Sequence, residues 1–225
     1  MEFTFRGPIP NVLRAGLRRI LPTLFNHRIL KMPQVQTGRL VLRPFEEFDL
    51  EEVSAWEEFA KLPDPQAAGK EFLDYCFREY RERGVGPWAI QRKESGAVAG
   101  NCGFPEINFR ERRGEVNCYV APAHRRHGLG TEALLALFLV GFGEFDFTEI
   151  RARCDINNLN SQGLAEKAGM KFLGYLEEGA ASGKAGAKLK LYSISRKDAV
   201  IRIKSGRAAK VSVRLERPKG PQTKD

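Results

Sequence analysis

The chain has 225 residues, of which 42% are hydrophobic and 29% charged, a composition that supports a globular protein and excludes a disordered one. No stretch approaches the ~18 consecutive apolar residues of a membrane-spanning helix. The net charge of +9 points as a whole to nucleic acid, but its distribution changes that. Residues 1–45 hold eight Lys/Arg against the single acid Glu2, and residues 196–225 hold ten against three. The 150 residues between them carry nineteen basic against twenty-four acidic side chains, a net −5. The basic character belongs to the two ends.

From Phe3 to Phe45 there is no acid. Leu13, Leu17, Ile20, Leu21 and Leu24 recur at helical spacing beside Arg14, Arg18 and Arg19, until Pro22 interrupts the pattern and Pro33 closes the segment. Residues 1–36 are therefore read as a basic amphipathic extension. Its alternatives are a helix packed on the body, an RNA-binding arm, a membrane-surface helix and an organelle transit peptide. Glu2, the lack of serine and the lack of a small-residue cleavage site argue against targeting, so a cytoplasmic location is expected, with an organelle as the alternative.

The body is expected to begin at Thr37. Arg39–Arg43 alternates polar with apolar residues and predicts a strand. Acid-rich helical patterns follow over Asp49–Ala60 and Gln66–Arg83, the second with Phe72, Tyr75, Cys76 and Tyr80 on one face. Trp88–Arg92 and Ala97–Phe109, separated by Lys93–Gly96, predict a hairpin. A second turn over Arg110–Gly114 leads to the strand Glu115–Val120. A nearly all-apolar helix is expected from Gly128 to Phe145, a strand over Ile150–Cys154, and a helix over Ser161–Ala168 that Gly169 ends. Strands Lys171–Leu176 and Leu189–Ser195 complete a body of residues 37–195. The basic tail 196–225 contains two candidate edge strands, Ala199–Ile203 and Val211–Leu215, and a frayed end. The sum is one α/β domain, antiparallel first and then β-α-β-α-β.

The cysteines 76, 102, 118 and 154 form no C-x-x-C pair and are expected as reduced, packed thiols. His124 and His127 lie three apart, but no neighbouring cysteine or acidic cluster completes a metal set, so no metal is expected.

The chemistry concentrates in one segment. After the strand ending in Tyr119 and Val120 come Arg125, Arg126, His127, Gly128, Leu129, Gly130 and Thr131, at the start of the apolar helix. A helix N-terminus offers unpaired N–H groups and a partial positive charge. Glycines allow close backbone approach, and the basic side chains add potential, which together suit a phosphate or pyrophosphate. The competing explanation is an ordinary strand-to-helix loop with a solvated arginine pair. Gly128-Leu-Gly-Thr-Glu-Ala also matches the G-x-G-x-x-A dinucleotide fingerprint, with Asp155 as its distal acid. That fingerprint opens directly from a strand, whereas Ala121–His127 intervenes here.

The run Arg125–Gly130 resembles the R/Q-x-x-G-x-G/A signature of GNAT N-acetyltransferases. Thr37-Gly-Arg-Leu-Val-Leu-Arg-Pro is similar to the opening strand of the ribosomal-protein-alanine (Rim-type) branch. Thr131–Leu134 continues the glycine loop as that branch does, and Asn158-Leu-Asn-Ser161 followed by Glu166-Lys-Ala-Gly169 resembles its N-x-x-S…E-K-x-G segment. The resemblance covers Thr37 to Ser195. It implies a mixed, mostly antiparallel central sheet with splayed central strands, flanked by helices. It implies acetyl transfer from acetyl-CoA to a primary amine, with no metal. Residues 125–131 would cradle the pyrophosphate, the backbone of Tyr119 and Val120 would pair with the pantetheine arm, and Asn158 would bind it too. A backbone N–H near the strand's end would stabilise the oxyanion of the reaction. Glu115 would be the water-assisted base and Ser161 the proton donor, because the tyrosine that many relatives use falls at Ala165. The competing roles are a strand-end acid for Glu115 and a helix N-cap for Ser161. Met170 stands where an aromatic residue is common.

The expected acceptor is a protein N-terminal amine, with polyamines and aminoglycosides as alternatives that the −5 body equally suits. A third alternative is a non-catalytic CoA-fold module that contacts ribosome or RNA through its basic ends.

Overall fold

A computed structural model describes residues 32–177, 188–204 and 214–216. Nine strands form one sheet among the described residues: β1 (Gln34–Gln36), β2 (Leu40–Arg43), β3 (Trp88–Arg92), β4 (Val98–Asn108), β5 (Arg113–Val120), β6 (Glu149–Asp155), β7 (Lys171–Glu177), β8 (Lys188–Ser195) and β9 (Arg214–Glu216). Their order is β7-β8-β6-β5-β4-β3-β2-β1-β9. Neighbours are antiparallel except β5 and β6. The helices are α1 (Leu50–Ser54), α2 (Glu57–Ala60), α3 (Pro65–Glu82), α4 (Leu129–Gly143), α5 (Leu159–Ala168) and α6 (Arg196–Lys204). The mixed, mostly antiparallel sheet expected from the sequence is present.

Local chemistry explains several boundaries. In the β3–β4 hairpin Gly96 takes φ 75°, and its N–H donates to the Arg92 carbonyl at 2.9 Å, a turn geometry that favours glycine. Asp64 caps α3 by accepting from the Ala67 N–H at 2.9 Å, with Pro65 in the first helical position. Gly169 ends α5 at φ 94°, the left-handed stop that the sequence predicts.

Helices cover both faces. Ala89 packs with Trp56, Leu73 and Cys76 under α1–α3. The adjacent Trp88 points the other way, as strand alternation requires, and meets Phe104 at 6.4 Å between ring centroids. Phe104, Phe147 and Ile150 pack against Gly141 of α4. Most of α4 is buried, which accounts for its apolar character on all sides. All four cysteines are free; burial pushes the Cys76 and Cys118 thiols up to about 12.

The structure departs from expectation in three places. The helix expected over Asp49–Ala60 breaks into α1 and α2 at Trp56, whose backbone is extended (φ −64°, ψ 142°). The indole is 3% exposed and packs against Phe45 and Phe72, with ring centroids at 6.1 and 5.7 Å; burying it outweighs one continuous helix. The strand expected over Ala199–Ile203 is part of helix α6. Ser195 Oγ accepts from the Asp198 N–H at 3.2 Å and donates to its carboxylate at 3.0 Å, an S-x-x-D start.

Finally, the sheet runs past both expected ends of the body at 37 and 195. β1 precedes Thr37, and the Pro33 carbonyl accepts from the buried Trp88 indole at 2.8 Å. β9 overlaps the strand expected at Val211–Leu215, pairing Gln34–Gln36 with Arg214–Glu216. The N-terminal helix expected near residues 13–24 lies outside the described residues.

β4 and β5 approach closely at Gly100, where an added Cβ would lie 2.1 Å from the Tyr119 carbonyl oxygen and 2.9 Å from the Val120 Cα. Gly100→Ala is expected to destabilise the fold by about 1–3 kcal/mol through overpacking, measured as a lower midpoint in urea denaturation.

Candidate functional site

β5 and β6 are parallel neighbours for three rungs only: Arg113 with Glu149, Gly114 with Ile150 and Glu115 with Arg151. β4 follows β5 as far as Val120, and β8 follows β6 as far as Asp155. Beyond Glu115 the two central strands separate and leave a gap. The Ala121 N–H donates to the Ala99 carbonyl at 2.8 Å. Antiparallel alternation then turns the backbone groups of Val120 and Cys118 away from β4 and into the gap. Tyr119, expected with Val120 to line it, spends its ladder groups on Asn101 of β4. Cys118 takes its place, because the hydrogen-bond phase of β4 decides which residues turn outward. The Tyr119 ring instead packs 5.3 Å from Trp56 with the Arg125 guanidinium 5.8 Å from its centroid, and burial raises its phenol.

Above the gap, Arg125 Nε donates to the Val120 carbonyl at 2.7 Å. Arg126 and Gly128 both take left-handed backbone, at φ 65° and 76°, and this turns successive N–H groups to one side. The N–H groups of Arg126, His127, Gly128, Leu129, Gly130 and Thr131 find no protein acceptor among the described residues. They converge at the N-terminus of the 15-residue α4, where the helix dipole favours an anion. Leu129 is buried and anchors the turn. A Cβ on Gly130 would meet Leu164 of α5 at 3.2 Å and Val120 at 3.4 Å, so this glycine brings α4, α5 and β5 together. The donor set fits the pyrophosphate of acetyl-CoA.

Glu132 supports this loop, a role that the sequence pattern did not reveal. It is 3% exposed and accepts from Thr37 Oγ1 at 2.6 Å, the Arg39 N–H at 2.9 Å and Arg39 Nε at 2.7 Å. Arg39 also donates to the His127 carbonyl at 2.8 Å. An acid inside a first helical turn beside a polar β1–β2 turn was the available signal.

Asn158 is the N-cap of α5 and accepts from the Ser161 N–H at 3.0 Å. Ser161 is therefore the third helical residue rather than the cap that its residue type also suited. It lies one turn before Leu164, on the helix side that meets Gly130 and Val120. Ala165 is 2% exposed and fully packed. Gln162 carries no sequence signal of its role, yet its amide donates to the Asp155 and Ile156 carbonyls at 3.0 and 2.9 Å and accepts from Lys190 at 2.8 Å. It ties α5 to the end of β6 and to β8.

Glu115 stands on the last shared rung, on the same face of β5 as Tyr119. Its side chain is 18% exposed, and Arg153 Nε donates to its Oε1 at 2.7 Å. Burial raises its pKa above the usual carboxylate range, and Arg153 works against that rise. Arg153 also pairs with Glu106. Among the described residues no cluster of three or more His, Cys, Asp or Glu is placed to hold a metal ion, and no helix is long and apolar enough to cross a membrane.

Residues 39–171 match the acetyltransferase (GNAT) domain family. The uncharacterized N-acetyltransferase YoaA of Bacillus subtilis is 24% identical over 155 residues, covering 65% of this chain and 87% of YoaA. The uncharacterized B. subtilis protein YkkB is 30% identical over 104 residues, 46% of this chain and 60% of YkkB. Among solved structures, a Vibrio cholerae protein assigned as a ribosomal-protein-serine acetyltransferase superposes with TM-score 0.64 at 20% identity, covering 72% of this chain and 97% of that one. A V. cholerae spermidine N-acetyltransferase SpeG variant gives 0.58 at 18%, covering 72% and 98%. Microcin C7 self-immunity acetyltransferase MccE, solved with acetyl-CoA and AMP, gives 0.59 at 16%, covering 70% and 93%.

A Cβ on Gly128 would have space, its nearest contact being an Arg39 side-chain nitrogen at 3.5 Å, so glycine is required by φ rather than by volume. Gly128→Ala carries a strain of about 1–2 kcal/mol. It is expected to weaken binding of 3′-phosphoadenosine diphosphate roughly tenfold, measured by titration calorimetry.

Proposed function

The chain belongs to the GNAT acetyltransferase family, and on that premise we propose that it acetylates the amino-terminal amine of a protein, with Glu115 as the base. The observation that carries this is the half-buried Glu115 carboxylate on the last shared β5–β6 rung, below a helix N-terminus whose N–H donors are unengaged among the described residues. A polycation would call for several unpaired carboxylates around the gap. Here Glu106 and Glu115 share Arg153, and Arg151 holds Glu149 at 3.0 Å. That arrangement suits one ammonium group better than a chain of them. The similarity to a structure assigned as a ribosomal-protein-serine acetyltransferase supports the same choice.

Bound acetyl-CoA would supply a thioester carbonyl carbon: the neutral amine forms a C–N bond to it and the C–S bond breaks. The second amine proton is matched by the one gained on the CoA thiol, so the only proton released overall is the one the acceptor ammonium loses first. The N–H groups of residues 126–131, with Arg125 and Arg126, hold the diphosphate. The outward backbone of Cys118 and Val120 aligns the extended arm as a further strand would, which supplies acceleration by proximity. Glu115 takes the proton of the acceptor ammonium directly or through one water. The Ser161 hydroxyl, on the α5 face beside the gap, donates a proton to the departing sulfur. The second function retained from the charge distribution is ribosome or RNA docking through the basic ends; steep weakening of RNA binding with salt tests it.

The deciding measurement is free-thiol release from acetyl-CoA with peptides of different first residues, Nα-blocked lysine peptides and spermidine. Turnover is expected with free N-termini and not with spermidine; the reverse result favours a polyamine acceptor, and no release with any amine overturns the proposal. Glu115→Gln is expected to lower kcat by about 10²–10⁴-fold with little change in acetyl-CoA binding.

A further inference from the structure

Two residues past the last shared rung, where the backbones of β5 and β6 no longer pair, one side chain still crosses between them. Arg153 of β6 reaches Glu115 of β5 through Nε at 2.7 Å and Glu106 of β4 through its terminal nitrogen. Glu106 and Glu115 are direct cross-strand partners, and like charges in that position repel. A planar guanidinium between them removes the repulsion and satisfies both carboxylates at once, which the single ammonium of lysine does less well. Arg153 is 34% exposed, so solvent screens the pair and its contribution to global stability is small. Its consequence is geometric. Glu115 Oε1 is held, while Oε2 has no protein partner among the described residues.

We propose that Arg153 is a positioning residue for amine acetylation: it fixes one carboxylate oxygen of Glu115 and leaves the other to receive the acceptor's proton. This rests on the assignment of Glu115 as the base. The charged groups around Glu115 are Glu106 on β4 and Arg151 and Arg153 on β6, with the buried Cys154 thiol nearby. Arg151 is engaged by Glu149, which Ser193 of β8 also contacts at 2.7 Å. Arg153 therefore makes the only hydrogen bond to the Glu115 carboxylate among the described residues. Burial raises the Glu115 pKa and Arg153 counteracts it. A base acts when ionised, so activity is lost as pH falls through that pKa. Removing Arg153 moves this acid limb to higher pH, and removing Glu106 moves it lower.

The test is the pH profile of kcat/KM for the full chain with its best amine acceptor, for Arg153→Gln, Arg153→Lys, Glu106→Gln and Glu115→Gln. The expected result is an acid limb raised by roughly one pH unit in Arg153→Gln, partly restored in Arg153→Lys, and lowered in Glu106→Gln. KM for acetyl-CoA should change less than twofold in all of them. A wild-type profile for Arg153→Gln alongside loss of activity in Glu115→Gln overturns the positioning role alone. Retained activity in Glu115→Gln overturns the assignment of the base itself. If Arg153→Gln does not fold, the opposite shifts of Arg153→Lys and Glu106→Gln decide, and unshifted profiles in both overturn the proposal.

Discussion

The central constraint on this molecule is that two neighbouring strands stop pairing in the middle of a sheet. β5 and β6 share three rungs and then part, leaving backbone donors and acceptors where a sheet would normally satisfy them. Unpaired buried polar groups are costly, so a gap of this kind persists only if its walls are held from outside. Here the outer neighbours do that: β4 stays with β5 to its end, and β8 stays with β6 through every residue. At the base, Arg153 bridges the divergence with a side chain. At the top, Arg125 satisfies the Val120 carbonyl.

The glycine loop depends on a second constraint, a buried carboxylate close to a helix end whose free N–H groups suit an anion. Taken alone, Glu132 would weaken the positive potential there. It is accompanied by Arg39, whose guanidinium meets it at 2.7 Å, so the pair contributes little net charge, while Thr37 and the Arg39 backbone complete the carboxylate's hydrogen bonds. A buried charge with partners is tolerable where an isolated one is not. The same arginine holds the His127 carbonyl and so links the β1–β2 turn to the glycine loop. The free N–H groups are left facing outward on a rigid support.

Much of this was legible along the chain, wherever the determinant is local. Gly128 and Gly130, the basic run before them and the apolar helix after them announce an anion site, because backbone conformation and side-chain charge are properties of adjacent residues. Gly96 and Gly169 announce a turn and a helix end for the same reason. The S-x-x-D start at Ser195–Asp198 was equally local, yet the β-branched residues after it suggest a strand; the cap and the packing on β8 and α4 outweighed them. Trp56 could not be placed, since its break in the helix follows from burial against Phe45 and Phe72 on distant elements.

The sequence by itself determined the family, most of the strands and helices between Arg39 and Ser195, and the glycine loop proposed to meet phosphate, since each is written in consecutive residues. Only the tertiary structure decided that Cys118 rather than Tyr119 turns its backbone to the gap, that Glu115 stands on the final rung, and that Arg153 spans Glu106 and Glu115. Alternation along a strand shows which residues share a face, but not in which phase its hydrogen bonds run. That phase is set by partners many residues away, and so the geometry of the gap exists only in the folded sheet.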